Sequence, residues 1–398
     1  MGRTTAETEE PNGDAGAHPN ELGLDGGSTA TAKPGPDAGT SPEEGLSCTG
    51  TAMRSYQPLG KATAKSVVTS IVAAGDGAVV AWEERADTDA TGRVYFASVD
   101  SEGRTVKPRQ IATGDSPVLL VARDEVVLFW KKDSAITMRR MTLAGDPTAD
   151  DVRVYGPVAD SFQVEYADHG YLFATNGSGT DAYQVYMFTA DAAGIVDEPP
   201  VKVAQAGNNS VQPALAWNGS YATLAWTDMR EGTPAVYAAT FDAKGKRRTD
   251  DLRISAKDVR GSFPSTAMQT LGGSIVCYQQ RLSAKNQEIY CSRLDDDGKV
   301  TGTSRVTNNA FDSLNPIVKA HGKYTWVAWD DRTQDAPSIQ WQFLDESGAT
   351  ILREPKDSGI FGWRPSAAVG KDALYFTSYN ASDDEVTWRA DVSTVNCF

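Results

Sequence analysis

The stretch that decides the fold is Pro213-Ala-Leu-Ala-Trp217-Asn-Gly-Ser-Tyr221-Ala-Thr-Leu-Ala-Trp226-Thr-Asp228-Met-Arg230. A proline is followed thirteen or fourteen positions later by an aromatic residue and then by a charged turn, and this phrase recurs along the 398-residue chain. Its copies are Pro117…Trp130, Pro213…Trp226, Pro264…Tyr278, Pro316…Trp329 and Pro365…Tyr379, with weaker copies at Thr69…Trp82 and Ser161…Ala174. The anchor positions that end these copies lie 44 to 52 residues apart, which indicates one supersecondary unit copied seven times.

Each copy predicts several short strands. In the clearest copy, Pro213–Trp217, Tyr221–Trp226 and Val236–Phe241 are separated by Gly, Asn and Asp turn signals, and Asp251–Ile254 supplies a fourth strand. Four strands in each of seven copies predict an all-β fold, a seven-bladed β-propeller with four-stranded antiparallel blades. Six or eight blades remain alternatives because the second and third copies are degenerate, and a tandem of β-sandwiches is the other compatible architecture.

Residues 1–47 differ in composition from the repeats. They carry nine acidic and two basic side chains and almost no large apolar residue, so we expect a disordered acidic tether before a propeller spanning residues 48–398. The net charge of −15, without a basic patch, disfavours nucleic acid as a partner. Met1–Pro11 is polar and acidic, unlike a signal peptide, and we expect that an export signal has been removed before it.

The four cysteines divide into an internal pair and a terminal pair. Cys277 and Cys291 are equidistant from the turn Ser283-Ala-Lys-Asn286, so their Cβ atoms are expected to face each other across a hairpin. We therefore predict a Cys277–Cys291 disulfide and an oxidising, extracytoplasmic compartment. Metal thiolates or a catalytic thiol are the alternative, but the chain has no Cys-x-x-Cys and no histidine within ten residues of a cysteine.

The two ends of the repeat region predict how the ring closes. The last copy reaches Phe398 without a fourth strand, and Thr51–Leu59 precedes the first strand of the first copy. We predict that Thr51–Leu59 completes the seventh blade, because closure of the ring removes an exposed sheet edge. A Cys48–Cys397 disulfide is then expected to join the two ends in place of the missing turn.

Charged turns follow the anchor aromatic residues. Their copies are Glu84-Arg85, Asp228-Met-Arg230, Gln280-Arg281 and Asp331-Arg332. In a propeller, the loops between second and third strands lie on the same face as the linkers between blades, so Asp228, Arg230, Arg281, Asp331 and Arg332 are candidates for a charged ligand platform. The alternative is structural: the acid accepts hydrogen bonds within the turn, and the arginine pairs with it or stacks on an aromatic ring.

Residues that break the repeat are the second set of binding candidates. Phe263, Phe311, Trp363 and Arg364 lie in the linkers between blades on that same face. Exposed aromatic residues beside arginines are typical of recognition surfaces. The alternative is that each aromatic residue packs between adjacent blades.

Motifs for catalysis or metal binding are absent from the sequence. No Gly-x-Ser-x-Gly, His-Glu-x-x-His or P-loop motif occurs, and His18, His169 and His321 are too scattered for a zinc site. The cluster Asp295-Asp296-Asp297-Gly298 has the oxygen ligands that Ca²⁺ prefers, but it lacks the final Glu of a calcium loop. We therefore predict no catalytic residue, no metal and no cofactor, and interpret this cluster as a solvated turn.

Two copies, Gly219–Gly245 and Gly322–Gly348, carry the phrase Gly-x-Tyr-x-x-Val-Ala-Trp-x-Asp-x-Arg…Ile-Tyr-x-x-x-Leu-Asp-x-x-Gly in recognisable form. This phrase resembles the repeats of β-propeller surface lipoproteins of Gram-negative bacteria, notably myxobacteria, over about 350 residues. The resemblance implies a secreted or outer-membrane-anchored protein that meets the membrane only through a lipid anchor absent from this chain. The boxes of sialidase-type propellers, Ser-x-Asp-x-Gly-x-x-Trp, do not occur, so glycosidase activity is not carried over.

The function expected from these features is a non-enzymatic, extracytoplasmic binding or assembly module. It presents a propeller face to a protein or polysaccharide partner at the cell envelope. The alternative is a glycan-processing hydrolase or lyase with carboxylates at the central channel, and two carboxyl groups converging at the channel mouth would favour it.

Overall fold

The computed structural model describes residues 53–59, 69–85, 91–158, 161–168, 170–178, 181–205, 209–283, 286–332, 337–353, 362–371, 373–381 and 388–396. Within these ranges the chain forms seven four-stranded antiparallel sheets, so the predicted seven-bladed β-propeller is confirmed. None of the described segments is a helix of the length and apolarity needed to cross a membrane.

Each blade runs from an inner first strand to an outer fourth strand, and the first strands of neighbouring blades contact one another around the central channel. Blades one and two comprise β2 (Thr69–Ala74), β3 (Gly77–Glu84), β4 (Arg93–Val99) and β5 (Thr105–Thr113), then β6 (Asp115–Ala122), β7 (Glu125–Lys132), β8 (Ala135–Met141) and β9 (Val152–Tyr155). Blades three and four comprise β10 (Phe162–Ala167), β11 (Gly170–Ser178), β12 (Asp181–Asp191) and β13 (Val201–Lys202), then β14 (Ser210–Trp217), β15 (Ala222–Asp228), β16 (Ala235–Phe241) and β17 (Leu252–Arg253). Blades five and six comprise β18 (Gly261–Met268), β19 (Ser274–Ser283), β20 (Asn286–Leu294) and β21 (Val300–Arg305), then β22 (Ser313–His321), β23 (Tyr324–Asp331), β24 (Ser338–Leu344) and β25 (Thr350–Arg353).

Blade seven contains the seam of the ring. It comprises β26 (Trp363–Val369), β27 (Ala373–Ala381), β28 (Trp388–Asn396) and the N-terminal β1 (Met53–Pro58). β1 pairs antiparallel with β28 as the fourth strand, which confirms the predicted closure by Thr51–Leu59. Cys48 and Cys397, for which a disulfide is predicted, lie outside the described residues.

The hydrophobic core is divided into clusters between neighbouring blades. Val79 and Ala81 of blade one, for example, pack with Leu128 and Trp130 of blade two. The anchor residues Trp82, Trp130, Trp226 and Tyr278 are at most 1% exposed. The recurring aromatic residue is therefore a core residue that packs one blade against the next, and its burial is worth a few kcal/mol of stability at each interface.

A polar partner holds the indole N–H of each anchor tryptophan, whereas the buried Trp326 and Trp341 have no such partner among the described residues. The Nε1 group donates to the acid two residues later in three blades: Trp82 to Glu84 at 3.0 Å, Trp226 to Asp228 at 3.0 Å and Trp329 to Asp331 at 3.3 Å. Blade two has Lys132 at that position, and Trp130 donates to the backbone carbonyl of Thr113 instead, at 3.1 Å. The acid recurs with the tryptophan because an acceptor stabilises a buried indole N–H.

Turns and the internal disulfide complete the scaffold as predicted. Gly103, Gly298 and Gly348 have φ between +75° and +81° in the Asp-initiated turns after the third strands, where residues with a Cβ atom are disfavoured. Cys277 of β19 and Cys291 of β20 face each other and form a disulfide, which confirms the predicted pairing and indicates an oxidising, extracytoplasmic environment. The equivalent pair in blade four is Ala225 and Ala238.

Candidate ligand-binding site at the channel mouth

The repeated proline lies in a β-bulge of the innermost strand. In five blades, the proline and the residue before it together face a single residue of the second strand. These pairs are Ser116-Pro117 in β6, Gln212-Pro213 in β14, Phe263-Pro264 in β18, Asn315-Pro316 in β22 and Arg364-Pro365 in β26. Proline has no N–H to donate, so it is tolerated where a bulge interrupts the ladder of hydrogen bonds.

The residue before each proline has a left-handed backbone conformation. Its φ is +57° at Ser116, +56° at Gln212, +53° at Phe263, and +49° at both Asn315 and Arg364. Such angles are uncommon for residues other than glycine and cost about 1 to 3 kcal/mol each. The scaffold thus holds five different side chains in the same strained conformation, and strain of this kind clusters at functional sites.

Four of these side chains, those of Gln212, Phe263, Asn315 and Arg364, converge on a pocket at the mouth of the central channel. It is lined by Thr69, Gln163, Gln212, Pro213, Phe263, Pro264, Asn315, Arg364, Pro365 and Tyr379, which belong to six different blades. Ser210 at the start of β14 pairs with Asp228 at the end of β15. The mouth therefore opens on the face that carries the charged turns.

Side chains of preceding blades hold the bulges in place. The backbone N–H of Ser116 donates to Oε2 of Glu83 at 3.1 Å, and that of Asn315 donates to Oε1 of Gln279 at 3.1 Å. The N–H of Phe263 donates at 3.2 Å to Oε1 of Gln212, a residue that itself lines the pocket. Three of the five strained residues are thus fixed by the preceding blade, which preorganises this part of the mouth.

The amide side chains of the mouth retain unused hydrogen-bonding groups. Gln163 makes no side-chain hydrogen bond to any described residue, and the bonds of Gln212 involve only its Oε1. Asn315 donates through Nδ2 to Asp330 at 2.9 Å, and its Oδ1 accepts from none of the described residues. Together with the aromatic rings of Phe263 and Tyr379, these groups give the mouth both donors and acceptors beside apolar surface.

Asp330 lies behind this lining and is fully buried. Its Oδ1 accepts the bond from Asn315, its Oδ2 has no hydrogen-bond partner in the described part of the chain, and Nη2 of Arg332 is 3.9 Å from Oδ2. Burial raises the pKa of Asp330 to about 6, although the bond from Asn315 and the charges of Arg332 and Arg364 act in the opposite direction. Among the described residues that line the pocket, none carries a carboxyl group.

Two of the residues singled out from the sequence line the mouth. Phe263 and Arg364 occupy bulge positions in blades five and seven, and Arg364 is the charged group of the described lining. Trp363 is the first residue of β26, and its side chain lies outside the described part of the structure. Phe311 lies on the linker before β22, away from the pocket lining, with 52% of its surface exposed.

The charged-turn residues Asp228 and Arg230 form an internal network. Asp228 is 1% exposed and accepts bonds from the indole of Trp226, from the backbone N–H of Arg230 at 2.8 Å and from its guanidinium at 2.7 Å. Arg230 also pairs with Asp251 at 2.8 Å and stacks over the ring of Tyr237 at 4.3 Å. These contacts match the structural interpretation of the motif, while ligand binding by Asp228 and Arg230 stays a prediction.

The other charged-turn residues lie near the rim. Asp331 is buried and accepts from Trp329 and from Nδ2 of Asn309 at 2.9 Å. Arg281 and Arg332 are exposed on the rim of the same face. Their roles in binding likewise stay predictions.

The described residues contain no group of three or more His, Cys, Asp or Glu side chains suited to a metal ion. In the acidic turn that resembled a calcium loop, Oδ1 of Asp295 accepts from the backbone N–H groups of Asp297 and Lys299 at 3.0 and 2.8 Å. Oδ1 of Asp296 accepts from the hydroxyl of Tyr221 and from the N–H of Gly273, both at 2.7 Å. These carboxylates support the turn and its neighbour.

Sequence reasoning missed Gln163, Gln212 and Asn315 as pocket residues. A signal for two of them was present, since Gln212 and Asn315 stand directly before the repeated proline. That position varies between blades while the proline recurs, which is what a site built on a repeated scaffold requires. Gln163 belongs to a blade without the proline and carried no such signal.

Comparison with known proteins identifies the fold. No family model matches the chain, and no curated protein matches it. Among solved structures, an ulvan lyase of a new polysaccharide lyase family, bound to -[GlcA(1-4)Rha3S]-, is 10% identical, with 84% of this chain and 95% of that chain covered and a TM-score of 0.54. Polysaccharide lyase Uly1 is 9% identical, with 94% and 97% covered and a TM-score of 0.53. The β-propeller domain of the Trilobed protease from Pyrococcus furiosus is 11% identical, with 83% and 96% covered and a TM-score of 0.51, so the likeness shows a shared β-propeller fold.

Proposed function

We propose that this chain is an extracytoplasmic module that binds a polysaccharide at the mouth of its central channel. The observation that carries the proposal is the ring of different side chains that neighbouring blades hold in one strained backbone conformation around the pocket. The strained conformation recurs, and hydrogen bonds to Glu83, Gln212 and Gln279 hold it in place. Backbone strain that is repeated and supported in this way is typical of sites where the position of a side chain serves a function.

The chemistry of the lining favours a sugar. Amide groups of Gln163, Gln212 and Asn315 donate to and accept from hydroxyl groups, and the rings of Phe263 and Tyr379 supply apolar surface for the carbon face of a sugar ring. A pocket with a few positioned polar groups beside aromatic surface is the usual form of a small-ligand site. The lyases with this fold act on polysaccharides, which agrees with the proposal, although an identity of 9 to 10% transfers no activity.

We propose binding rather than glycoside hydrolysis at the mouth. A glycoside hydrolase requires two carboxyl groups separated by about 5 to 9.5 Å. The described lining has none, and Asp330 is enclosed behind Asn315. The glycan-processing alternative therefore lacks the carboxylates that were expected to mark it in the described part of the mouth.

The cellular setting follows from the disulfide and from the resemblance to surface lipoproteins. The Cys277–Cys291 bond suits an oxidising compartment. We propose that the chain is secreted or tethered to the outer membrane through an anchor on its N-terminal side. The polysaccharide partner would then belong to the cell envelope or to its surroundings.

A binding assay with point variants tests the proposal. Affinity for a panel of envelope and matrix polysaccharides is measured by calorimetry for the wild type, Gln163→Ala and Phe263→Ala, with Gln110→Ala on the outer strand β5 as the control. We expect losses of roughly tenfold for each mouth variant, since one lost polar or aromatic contact costs about 1 to 2 kcal/mol, and none for the control. Unchanged binding in both mouth variants would place the ligand elsewhere, and release of unsaturated or reducing ends during incubation would contradict a purely binding role.

A further inference from the structure

Two arginines stand directly opposite each other at the start of blade five. The backbone N–H of Arg281 donates to the carbonyl of Arg260 at 2.8 Å, and the next residues along the ladder, Gly261 and Gln280, are paired partners. Residues that face each other in this way project to the same side of the sheet, with Cβ atoms roughly 4.5 to 5.5 Å apart. The two arginine side chains therefore leave the backbone at neighbouring positions on that side of the sheet.

No carboxylate among the described residues pairs with either guanidinium, although the chain has 53 acidic and only 38 basic residues. Arg260 and Arg281 are both exposed, and partial loss of hydration together with the charge of Arg281 lowers the pKa of Arg260. Like charges placed directly opposite each other in a sheet are destabilising. Repulsion between the two arginines lowers the stability of the protein, and an anion bound between the two side chains would offset this repulsion.

The pair is specific to blade five. At the equivalent position of blade six, the N–H of Arg332 donates to the carbonyl of Asp312, so a basic residue faces an acidic one. In blade four, Met229 faces Asn209 in the same way. Blades four and six form the same backbone pairing without two arginines, so the repeated scaffold does not explain the presence of Arg260 and Arg281.

The pair lies at the edge of blade five that is nearest to the pocket residue Phe263: Arg260 directly precedes β18, and Arg281 lies on the neighbouring β19. Arg260 precedes Phe263 by three residues, which corresponds to at most about 10 Å along β18. Arg364 adds a positive charge within the mouth itself. A ligand that fills the mouth therefore has a second positive centre within reach on the rim beside blade five.

We propose that Arg260 and Arg281 together bind an anionic group, a carboxylate or a sulfate, on the polysaccharide that occupies the channel mouth. The inference rests on the proposed function and names the class of its ligand as an acidic polysaccharide. A guanidinium fork binds such groups through two parallel hydrogen bonds. Localised positive centres on a protein with a net charge of −15 fit a polymer with spaced charges, whereas the dense phosphates of nucleic acid would be repelled.

The test compares charge removal at the pair with the same charge change elsewhere. The variants are Arg260→Gln/Arg281→Gln, Arg260→Lys/Arg281→Lys and, as the control, Arg104→Gln/Arg109→Gln, whose arginines are exposed and paired with Asp100 and Asp146. Each is titrated with polygalacturonate, dextran sulfate, neutral dextran and single-stranded DNA at two salt concentrations. Phe263→Ala is included to report on the mouth alone.

We expect the Gln pair to weaken binding of an acidic glycan by roughly tenfold to a hundredfold and to reduce its salt dependence, because bonds to charged groups are worth about 1.5 to 3 kcal/mol. The Lys pair recovers part of the affinity, and the control binds like the wild type. Polygalacturonate and dextran sulfate separate a carboxylate from a sulfate ligand. The unfolding midpoint of the Gln pair stays equal to that of the wild type or rises, because repulsion between the arginines is removed.

Other outcomes would overturn the inference in distinguishable ways. Acidic glycans bound equally by the wild type and the Gln pair, but less well by Phe263→Ala, would leave the mouth as the site and refute the role of the arginines. Stronger binding of neutral dextran than of both acidic glycans would refute the anionic class while supporting the proposed function. Binding of none of the three glycans, or of DNA in preference to them, would count against both proposals.

Discussion

Asp330 provides a quantitative test of the buried layer behind the channel mouth. The carboxyl group is fully buried, and its Oδ2 has no hydrogen-bond partner among the described residues. Replacing it in Asp330→Asn removes a group that must lose its hydration whenever it is ionised. The new amide oxygen still accepts the bond from Nδ2 of Asn315, so the contact with the mouth is retained.

The sign and size of the effect follow from the pKa. Burial raises the pKa of Asp330 from its ordinary value of 3.8 to about 6, so ionisation is harder in the folded than in the unfolded chain. The folded wild type therefore loses stability as the pH rises above 4, and the loss is complete above pH 6. The interval between the two pKa values corresponds to at most roughly 3 kcal/mol at pH 7, a net value that already includes the attraction to Arg332 and Arg364.

The assay is denaturant unfolding of the wild type and Asp330→Asn between about pH 2.5 and pH 8, a range that includes the ordinary pKa of an aspartate. We expect the variant to gain stability relative to the wild type as the pH rises, by up to roughly 3 kcal/mol, and the gain to level off above pH 6. Asp345→Asn is the control with the opposite sign. Hydrogen bonds from Ser347 and from the backbone of its turn lower the pKa of Asp345, so its charge stabilises the folded state above the ordinary pKa and that contribution is lost as the pH falls. A difference between Asp330→Asn and the wild type that does not change with pH would refute the buried, titrating carboxyl group.

Three further predictions concern the scaffold. Replacing both Cys277 and Cys291 with alanine recreates the small pair of blade four, so we expect the protein still to fold. Its free energy of unfolding falls by about 3 kcal/mol, because the disulfide closes a loop with a sequence separation of 14. An unfolding midpoint equal to that of the oxidised wild type would contradict this. Asp228→Ala removes the acceptor of the Trp226 indole and one of the two carboxylates paired with Arg230, which leaves Asp251 as its partner. We expect the free energy of unfolding, measured by denaturant titration, to fall by about 3 kcal/mol, and a loss below about 1 kcal/mol would show that the network is dispensable. Ser116→Gly removes the strain of a left-handed backbone conformation and raises the free energy of unfolding by up to about 1 kcal/mol. Ser116→Val lowers the free energy of unfolding, because a branched side chain is disfavoured in this conformation. Equal effects of the two substitutions would argue against the strained conformation.

The fold was predictable because its causes are local and repeated. Trp226 and Trp329 are each buried between blades and each bonded to an acid two residues later, so the core contact and its polar partner appear together in the sequence. The disulfide was predictable for the same reason, since hairpin geometry follows from the spacing of Cys277 and Cys291 around a turn. Few architectures are compatible with a repeat of four strands, so the propeller could be predicted.

The site was less predictable because it depends on register. In the last copy, the spacing from Pro365 suggested Tyr379 as the anchor, but Ser378 faces the bulge and Tyr379 lines the mouth. A shift of one residue moves a side chain to the other face of a strand. A register predicted wrongly by one position therefore places a pocket-lining residue in the core, or a core residue in the pocket. The left-handed conformation before each proline was likewise invisible, because the residue before a proline is usually extended.

The bulge separates what must recur in this fold from what is allowed to vary. The aromatic residue that faces the bulge packs between blades four, five and six and their neighbours, while the residue before the proline differs in every copy and lines the mouth in blades four to seven. Blades four to seven place Gln212, Phe263, Asn315 and Arg364 in the mouth, whereas the bulge residue of blade two is the small Ser116, which is not part of the lining. The recognition groups are therefore concentrated on the side of the ring that also carries the arginine pair of blade five. It follows that a ligand contacts this half of the mouth most closely, and that substitutions at its bulge positions weaken binding more than substitutions in blades one and two.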